Sequence, residues 1–321
     1  MGRRKAKNKI KNWITSLVVF IILCVTGYYS TIYFQEDTQE NRVEITSVES
    51  IENSELTDLN NNNLNIIFFY VGQADSTFIK LKDFTMLIDA GNNEDGEKIA
   101  NFLKEKGINK LDYIIATHAD EDHIGGLDDI IKKIDTIGKM YIPTVGKSGI
   151  DYKNAIKAAK ENNIIVENPV VGDTFSLGEA NCEIMSAMEE EGVSDNDSSI
   201  VMQMKYKQTS YLFMGDAEKA VENSRSWNRV DVLKVGHHGS NSSSSEEFLE
   251  QVKPQYSIIE VGKDNSYNLP SSKAIERLEN SGSKVLRTDM VSVGNVGSFW
   301  LTSDGTWINI KEVNMSLDGN S

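Results

Sequence analysis

Cysteine, histidine and proline are all scarce in this chain of 321 residues, and the scarcity of cysteine limits its covalent structure. Of the two cysteines, Cys24 lies in an uncharged apolar stretch near the N-terminus, so Cys182 is the only cysteine in the remainder. An intramolecular disulfide within that remainder is therefore excluded, although an oxidising compartment would permit one. Only four histidines occur, so the position of each one is informative.

Basic residues are also scarce once the first eleven positions are passed. Six of the 33 lysines and arginines lie within residues 1–11, whereas all 48 acidic residues follow residue 35. The chain beyond residue 35 therefore has 27 basic against 48 acidic residues, a formal charge of −21. Such a field repels polyanions unless metal ions or a local basic groove offset it, which weighs against broad nucleic-acid binding.

The N-terminal segment has the pattern of a membrane anchor. Residues 12–35 contain no charged side chain, and about 20 apolar residues suffice to cross a bilayer as a helix. We predict a basic flank and transmembrane anchor over residues 1–35, with the basic flank in the cytoplasm and the rest outside the cell membrane. A cleaved signal peptide is the alternative, but Tyr28, Tyr29 and Tyr33 fit a membrane interface better than a cleavage site.

The next segment, residues 36–63, has a composition that does not favour folding. It contains eight acidic residues, Arg42 as its single basic residue and a run of four asparagines. We predict an acidic flexible linker there, because such a segment buries too little apolar surface to offset the entropy of ordering it. A folded domain is predicted over residues 64–311, followed by a C-terminal tail over residues 312–321.

The predicted domain has an α/β pattern, in which apolar runs of strand length alternate with amphipathic stretches of helix length. The strands are predicted at residues 66–71, 77–81, 84–88, 113–116, 200–206, 211–214, 230–235 and 256–261, near Val285 and over residues 298–310. The helices are predicted at residues 97–106, 127–134, 152–161, 217–223, 244–251 and 271–280. Two strand-rich halves with helices between their strands indicate two packed sheets with helices outside.

The four histidines fall into two clusters at the ends of predicted strands. In the first, His118 and Asp120 are two residues apart and point the same way, so they can bind one ion together. Asp122 and His123 lie in the turn just beyond, where they can bind a second ion. An acidic helix cap is the alternative, but a cap needs one acceptor and this segment has five ligand-type side chains.

The second cluster follows a strand that ends near residue 235. His237 and His238 could supply one metal ligand and one donor to a substrate, and the hydroxyl of Ser240 is an alternative donor. Between the clusters, Asp216 ends another predicted strand. A Gly-Asp pair is by itself an ordinary turn, but its position makes Asp216 a candidate bridging carboxylate.

Six short motifs occur in a fixed order: Tyr70–Asp75, Leu87–Gly91, His118–His123, Asn196–Ser199, Gly215–Asp216 and His237–Ser240. This order resembles the metallo-β-lactamase superfamily, and within it the soluble domain of ComEC-type DNA-uptake proteins and their stand-alone, membrane-anchored relatives. The resemblance covers about residues 64–311 and implies a four-layer αββα sandwich with metals at the rim between the sheets. Tyr70 and Ala74 replace the family's usual aspartate and glycine, and Leu269 stands where relatives often have histidine.

The resemblance also implies two divalent ions, zinc or manganese, and a ligand set for each. The first ion would be held by His118, Asp120 and Asp216, and the second by Asp122, His123, Asp216 and either His238 or His237. Asn196 or Asp197 lies where other branches have a further histidine. Because Asp120 stands where many relatives use histidine, the first site is oxygen-rich, which favours manganese without excluding zinc.

Two close divalent ions activate a shared water, so the expected reaction is hydrolysis, with Asp122, His237 and Ser240 as candidate catalytic residues. Phosphodiesters fit best, because a two-metal clamp suits displacement at phosphorus. We expect a small or short phosphodiester substrate. A nuclease acting on DNA and a non-catalytic metal-binding module are the alternatives.

The predicted orientation can be tested with protease added to intact cells. The domain beyond residue 35 should be removed, because the basic flank keeps the N-terminus inside and the rest outside. An antibody against the C-terminus would follow its loss, with a cytoplasmic marker protein as the control for lysis. Full protection of the domain in intact cells would show that the orientation is wrong.

Overall fold

The computed structural model describes residues 44–45, 49–52, 59, 61–188, 192–291, 296–315 and 317. The predicted anchor over residues 1–35 lies outside these residues, and no helix among them is long and apolar enough to span a membrane.

Two sheets organise the described part of the chain, and their strands are numbered in chain order. The first sheet contains, in this part, β1 (Glu44–Ile45), β2 (Glu49–Glu52), β3 (Leu64–Phe68), β4 (Thr77–Leu81), β5 (Phe84–Ile88), β6 (Lys110–Ile115), β7 (Thr136–Tyr141), β8 (Ile165–Glu167), β16 (Ser298–Ser303) and β17 (Trp307–Asn314). Its order is β1-β17-β16-β3-β4-β5-β6-β7-β8, and β2 also pairs with β17. The strands from β5 to β8 run parallel to one another.

The strands of the second sheet are β9 (Thr174–Leu177), β10 (Ala180–Ser186), β11 (Val201–Tyr206), β12 (Thr209–Phe213), β13 (Val232–Lys234), β14 (Tyr256–Ile259) and β15 (Lys284–Arg287). Their order in the sheet is β15-β14-β13-β12-β11-β10-β9. The described helices are α1 (Gly96–Glu105), α2 (Glu121–Ile124), α3 (Leu127–Lys133), α4 (Ile150–Glu161), α5 (Lys219–Glu222), α6 (Glu246–Val252) and α7 (Ser272–Asn280). The strands from β12 to β15 are parallel.

Three clusters of buried apolar side chains separate four layers. Along β3, Ile66 belongs to the cluster between the two sheets, whereas Ile67 belongs to the cluster under α1, α3 and α4. This alternation follows from the two-residue period of a strand, so β3 is apolar on both faces. A third cluster joins the second sheet to α5, α6 and α7, with Phe248 and Leu278 among its members. The predicted four-layer α/β sandwich is therefore confirmed.

The parallel strands bring the polar motifs to one edge of the sandwich. In the first sheet, Asp89 follows the last residue of β5 and His118 lies three residues beyond β6. In the second sheet, Asp216 follows β12 and His237 follows β13 in the same way. Because the carboxyl ends of parallel strands share an edge, both sheets present their polar residues at the same rim.

The structure differs from the sequence prediction at both ends of the domain. Within the predicted flexible linker, β1 and β2 pair in parallel with β17, which offers an open edge for backbone hydrogen bonds. At the other end β17 continues to Asn314, into the predicted tail. Strands β7 to β10 also lie where no strand was predicted.

Close backbone contacts at Gly126 fix the turn that carries the first histidine cluster. A Cβ on Gly126 would lie 2.3 Å from the carbonyl oxygen of Ala90 and 2.6 Å from the nitrogen of Gly96. We expect Gly126→Ala to lower the free energy of unfolding by about 2 kcal/mol, because backbone cannot move aside as a flexible side chain can. Urea unfolding of the full chain would measure this change.

Gly149→Ala is the matched control. Its added Cβ would meet only the carbonyl oxygen of Gly146, at 3.3 Å, so its stability should change little. Equal unfolding free energies for the two variants would show that the backbone around Gly126 accommodates a Cβ without loss of stability.

Candidate metal centre

A tight turn after β6 brings the first histidine cluster together. Asp120 is the N-cap residue of α2, so Asp122 and His123 lie on the first turn of that helix. The imidazoles of His118 and His123 are fully buried, and their ring centroids are 4.1 Å apart. The carboxylate of Asp120 is partly exposed, and its Oδ2 lies 3.7 Å from Nε2 of His118. The turn therefore brings His118 and His123 together, whereas the predicted ligand Asp120 belongs to no ligand group found among the described residues.

Asp89 fixes the orientation of His123. Its Oδ2 lies 2.8 Å from Nδ1 of His123, and its two oxygens accept hydrogen bonds from the backbone N–H and hydroxyl of Thr117. An ionised carboxylate can only accept, so Nδ1 of His123 carries the proton. Nε2 is then left to face Oδ1 of Asp216, 3.3 Å away. A carboxylate–histidine pair of this kind is the usual way to orient an imidazole toward a metal.

Several buried atoms at the centre have no protein hydrogen-bond partner among the described residues. They include Nε2 of His118, Nε2 of His123 and Oδ1 of Asp216, and Oδ1 of Asp75 nearby is also without one. A buried polar atom without a partner is costly, and ligand atoms of His118, His123 and Asp216 lie within 4.8 Å of one another. Divalent cations bound beside Asp216 would satisfy these atoms, so the donor set fits metal ions.

The structure places His238, and not His237, with the second group of ligand atoms. His238 is 2% exposed, and its Nε2 lies 3.2 Å from Oδ2 of Asp122 and 3.8 Å from Oδ2 of Asp216. Asp122, His123 and His238 form a second set of ligand atoms within 4.8 Å of one another. Nδ1 of His238 donates to the carbonyl oxygen of Glu260 at 2.9 Å, which leaves Nε2 for an ion.

His237 lies at the rim of the same centre. Its side chain is 26% exposed, its Nδ1 is 2.8 Å from Oε1 of Glu218, and its Nε2 is 3.9 Å from Oδ2 of Asp216. Ser242 donates to the same Glu218 oxygen and also contacts the hydroxyl of Ser240 at 2.8 Å. His237 and Ser240 are thus joined through a rim network of Glu218 and Ser242.

The remaining candidates, Asn196 and Asp197, support this rim. The amide Nδ2 of Asn196 lies 3.3 Å from Nδ1 of His237, and Oδ1 of Asp197 accepts the backbone N–H of Glu218 at 3.0 Å. Neither residue belongs to a ligand group found among the described residues. Asn196 and Asp197 therefore contact the rim network and not the ligand atoms of the centre.

The buried charges of the centre are balanced among carboxylates and imidazoles. Burial alone would raise the pKa of Asp216, but His123 and His238 outweigh it and hold that pKa well below its usual range. Burial would lower the pKa of His238, but Asp216 and Asp75 outweigh it and raise that pKa well above its usual value. In the ion-free protein, protons and metal ions therefore compete for the imidazoles, so ion affinity decreases as the pH falls.

Sequence reasoning missed a buried ion pair beneath the second ligand set. Lys234 donates to Oδ2 of Asp75, whose Oδ1 lies 3.2 Å from Nδ1 of His238. Burial would lower the pKa of Lys234, but Asp75 and Glu260 outweigh it and raise that pKa above its usual value. Asp75 closes the first of the six motifs, which was a signal for its role, whereas Lys234 stands in an apolar strand and gave none. Glu218 lies two residues after Asp216 and was also missed.

A sequence profile of the Metallo-beta-lactamase superfamily matches residues 69–262. ComE operon protein 3 of Bacillus subtilis is 34% identical over 241 residues, covering 68% of this chain and 31% of the relative. Recombination protein 2 of Haemophilus influenzae is 30% identical over 225 residues, 68% of this chain and 27% of the relative. Competence protein ComA of Neisseria gonorrhoeae is 27% identical over 225 residues, 68% of this chain and 30% of the relative. The chain thus spans less than a third of the length of these relatives.

One solved structure shows the same fold at low sequence identity. The metallo-beta-lactamase fold protein YhfI from Bacillus subtilis superimposes with a TM-score of 0.50 at 10% identity. The match covers 74% of this chain and 99% of YhfI.

The adjacent histidines give a matched pair of variants. We expect His238→Ala to lose one of two bound divalent ions, because it removes a buried Nε2 of the second ligand set. His237→Ala should keep both ions, because this residue contacts the rim network. Elemental analysis of the purified full chain after equilibration with manganese would count the ions. Equal ion content in the two variants would contradict the assignment of His238.

Proposed function

Since this chain belongs to the metallo-beta-lactamase superfamily, we propose that it is a membrane-anchored, extracytoplasmic metal-dependent phosphodiesterase. One observation carries the proposal: the unpartnered atoms of His118, His123 and Asp216 converge on one point, next to a second set that includes Asp122 and His238. Membership of the superfamily supports a hydrolase activity, and the similarity to a competence protein supports a role related to competence.

The residues divide into two ligand sets that share Asp216, and His123, which belongs to both groups of neighbouring ligand atoms, is assigned to the second. His118, Asp120 and Asp216 would hold the first ion, and Asp122, His123, His238 and Asp216 the second. When bound, such a pair of ions would polarise a phosphoryl oxygen and lower the pKa of a water molecule between them. The partly exposed carboxylates of Asp120 and Asp122 leave the centre open to a substrate on the rim side.

The rim network would orient the substrate. Glu218 accepts a hydrogen bond from Nδ1 of His237, which turns Nε2 of that imidazole toward Asp216 and the open side of the centre. A substrate oxygen bound next to Asp216 would contact this Nε2. The hydroxyl of Ser240 contacts Ser242, which Glu218 holds in turn, so a second polar group is fixed at the same rim.

The choice of metal and substrate follows from charge. The first ligand set has one imidazole and two carboxylates, and hard oxygen ligands favour manganese over zinc relative to an all-histidine site. The formal charge of −21 beyond residue 35 disfavours the multiple phosphate contacts that long DNA requires. A small phosphodiester has to meet only the ions, whose own charge dominates nearby.

A second candidate function is hydrolysis of DNA. The similarity to a recombination protein and to competence proteins favours it over other polymeric substrates. The acidic charge of the chain opposes it, so we place it second.

Turnover measurements separate these candidates. We expect bis(p-nitrophenyl) phosphate to be hydrolysed by the purified full chain, faster with manganese than with zinc, and supercoiled plasmid to be cut slowly at moderate salt. Asp216→Asn should abolish both activities, because Asp216 belongs to both ligand sets, and is the control for contaminating enzymes.

Three other outcomes have distinct meanings. Rapid plasmid degradation with weak small-substrate activity would place the nuclease first. Activity with zinc alone would contradict the argument from ligand hardness while leaving the site assignment intact. Two bound ions without turnover of either substrate would favour a non-catalytic metal-binding module.

A further inference from the structure

Lys234 lies in an unusual place for a lysine. It is the last residue of β13, in the interior of the second sheet, and is only 4% exposed. Its ammonium group donates to Oδ2 of Asp75 and, at 2.9 Å, to the carbonyl oxygen of Val235. Oε2 of Glu260 lies 3.9 Å away. Because Asp75 follows β3 of the first sheet, this ion pair connects the two sheets directly beneath the candidate metal centre.

The other oxygen of Asp75 contacts the metal centre. Oδ1 of Asp75 lies 3.2 Å from Nδ1 of His238, the ring nitrogen that faces away from the centre. The backbone of His238 has a φ of +49°, a left-handed conformation that a histidine adopts only when its surroundings hold it there. The carbonyl oxygen of Glu260, 2.9 Å from Nδ1, accepts the hydrogen bond of this ring, and the negative charge of Asp75 lies beside the same nitrogen.

Little space remains around Lys234. A cavity of about 10 Å³ lies between Asp75, Asp89, Lys234 and Glu260. A single water needs roughly 10–15 Å³ of such space, so the cavity is too small for a hydrated cation. The ammonium group of Lys234 therefore supplies positive charge directly beside Asp75.

We propose that Lys234 is a positioning residue for the second ion, a fixed cation that holds Asp75 against Nδ1 of His238. The imidazole is thereby kept with Nε2 toward Asp122 and Asp216. This inference rests on the proposed function in that it takes His238 as a ligand, but it concerns ion binding and not turnover. Lys234 touches neither the substrate nor the ions.

The test compares two buried lysines. Lys234→Met removes the charge but keeps most of the side-chain volume, and we expect it to weaken binding of the second manganese ion by about 10- to 100-fold, the usual effect of losing a ligand's support. The first ion should bind nearly as in the unaltered chain. Lys80→Met is the control, because Lys80 is also buried but belongs to β4 and donates to the carbonyl oxygen of Lys82. Calorimetric titration of the ion-free full chain with manganese gives both affinities.

A double variant separates positioning from folding. Lys234→Met alone leaves Asp75 buried without its cation and can destabilise the chain. Lys234→Met with Asp75→Asn removes both charges, so stability should recover relative to the single variant. The second-ion affinity should stay below that of the unaltered chain, because a neutral amide at position 75 attracts the N–H of His238 Nδ1 less strongly than a carboxylate.

Two results would overturn the proposal. One is unchanged affinity for both ions in Lys234→Met; the other is full recovery of the second-ion affinity in the stable double variant, which would assign Lys234 a folding role only. Turnover of bis(p-nitrophenyl) phosphate is measured separately. If the unaltered chain binds two ions but does not hydrolyse this substrate, the proposed function fails. The role of Lys234 is then decided by the titrations alone.

Discussion

The burial of carboxylates at the shared edge of two sheets is the constraint on which the rest of this structure depends. Asp75, Asp89 and Asp216 are all nearly inaccessible to solvent, and like charges so close together repel strongly in a medium of low dielectric constant. Their charge has to be balanced by cations within reach. Lys234 provides positive charge below the centre, and the imidazoles provide it above when they bind protons or metal ions.

The same constraint explains the layered supports around the histidines. Asp89 accepts the hydrogen bond of Nδ1 of His123, and the carbonyl oxygen of Glu260 accepts that of His238, beside the charge of Asp75. Each imidazole therefore presents Nε2 to the centre before any ion arrives. Glu218 contacts Nδ1 of His237 in the same way, but on the solvent side, where the ring remains partly exposed. Burial thus distinguishes two chemically identical neighbours in the chain.

Local sequence patterns predicted much of the fold, because they depend on residues close in the chain. The hairpin strands Thr77–Leu81 and Phe84–Ile88 begin and end where alternation and the intervening turn place them. Strands β8 and β9 were not predicted because they are edge strands of three and four residues with largely exposed positions, too short for a clear periodic pattern. The turn from His118 to His123 was also a local pattern. The choice between His237 and His238 and the role of Lys234 were not, because partners 116 and 159 residues away decide them.

The ligand pair of Asp122 and His238 also bears on how the chain holds together. These residues follow strands of different sheets and are 116 residues apart, so an ion bound to both would close a loop of that length. Such an ion would act as a long-range cross-link, and for a disulfide of similar span the chain-entropy effect is about 4–5 kcal/mol. Cys182 is the single cysteine beyond residue 24, so no internal disulfide can form there. The ions would therefore be reversible cross-links between the two sheets, whose occupancy depends on the supply of metal and on pH.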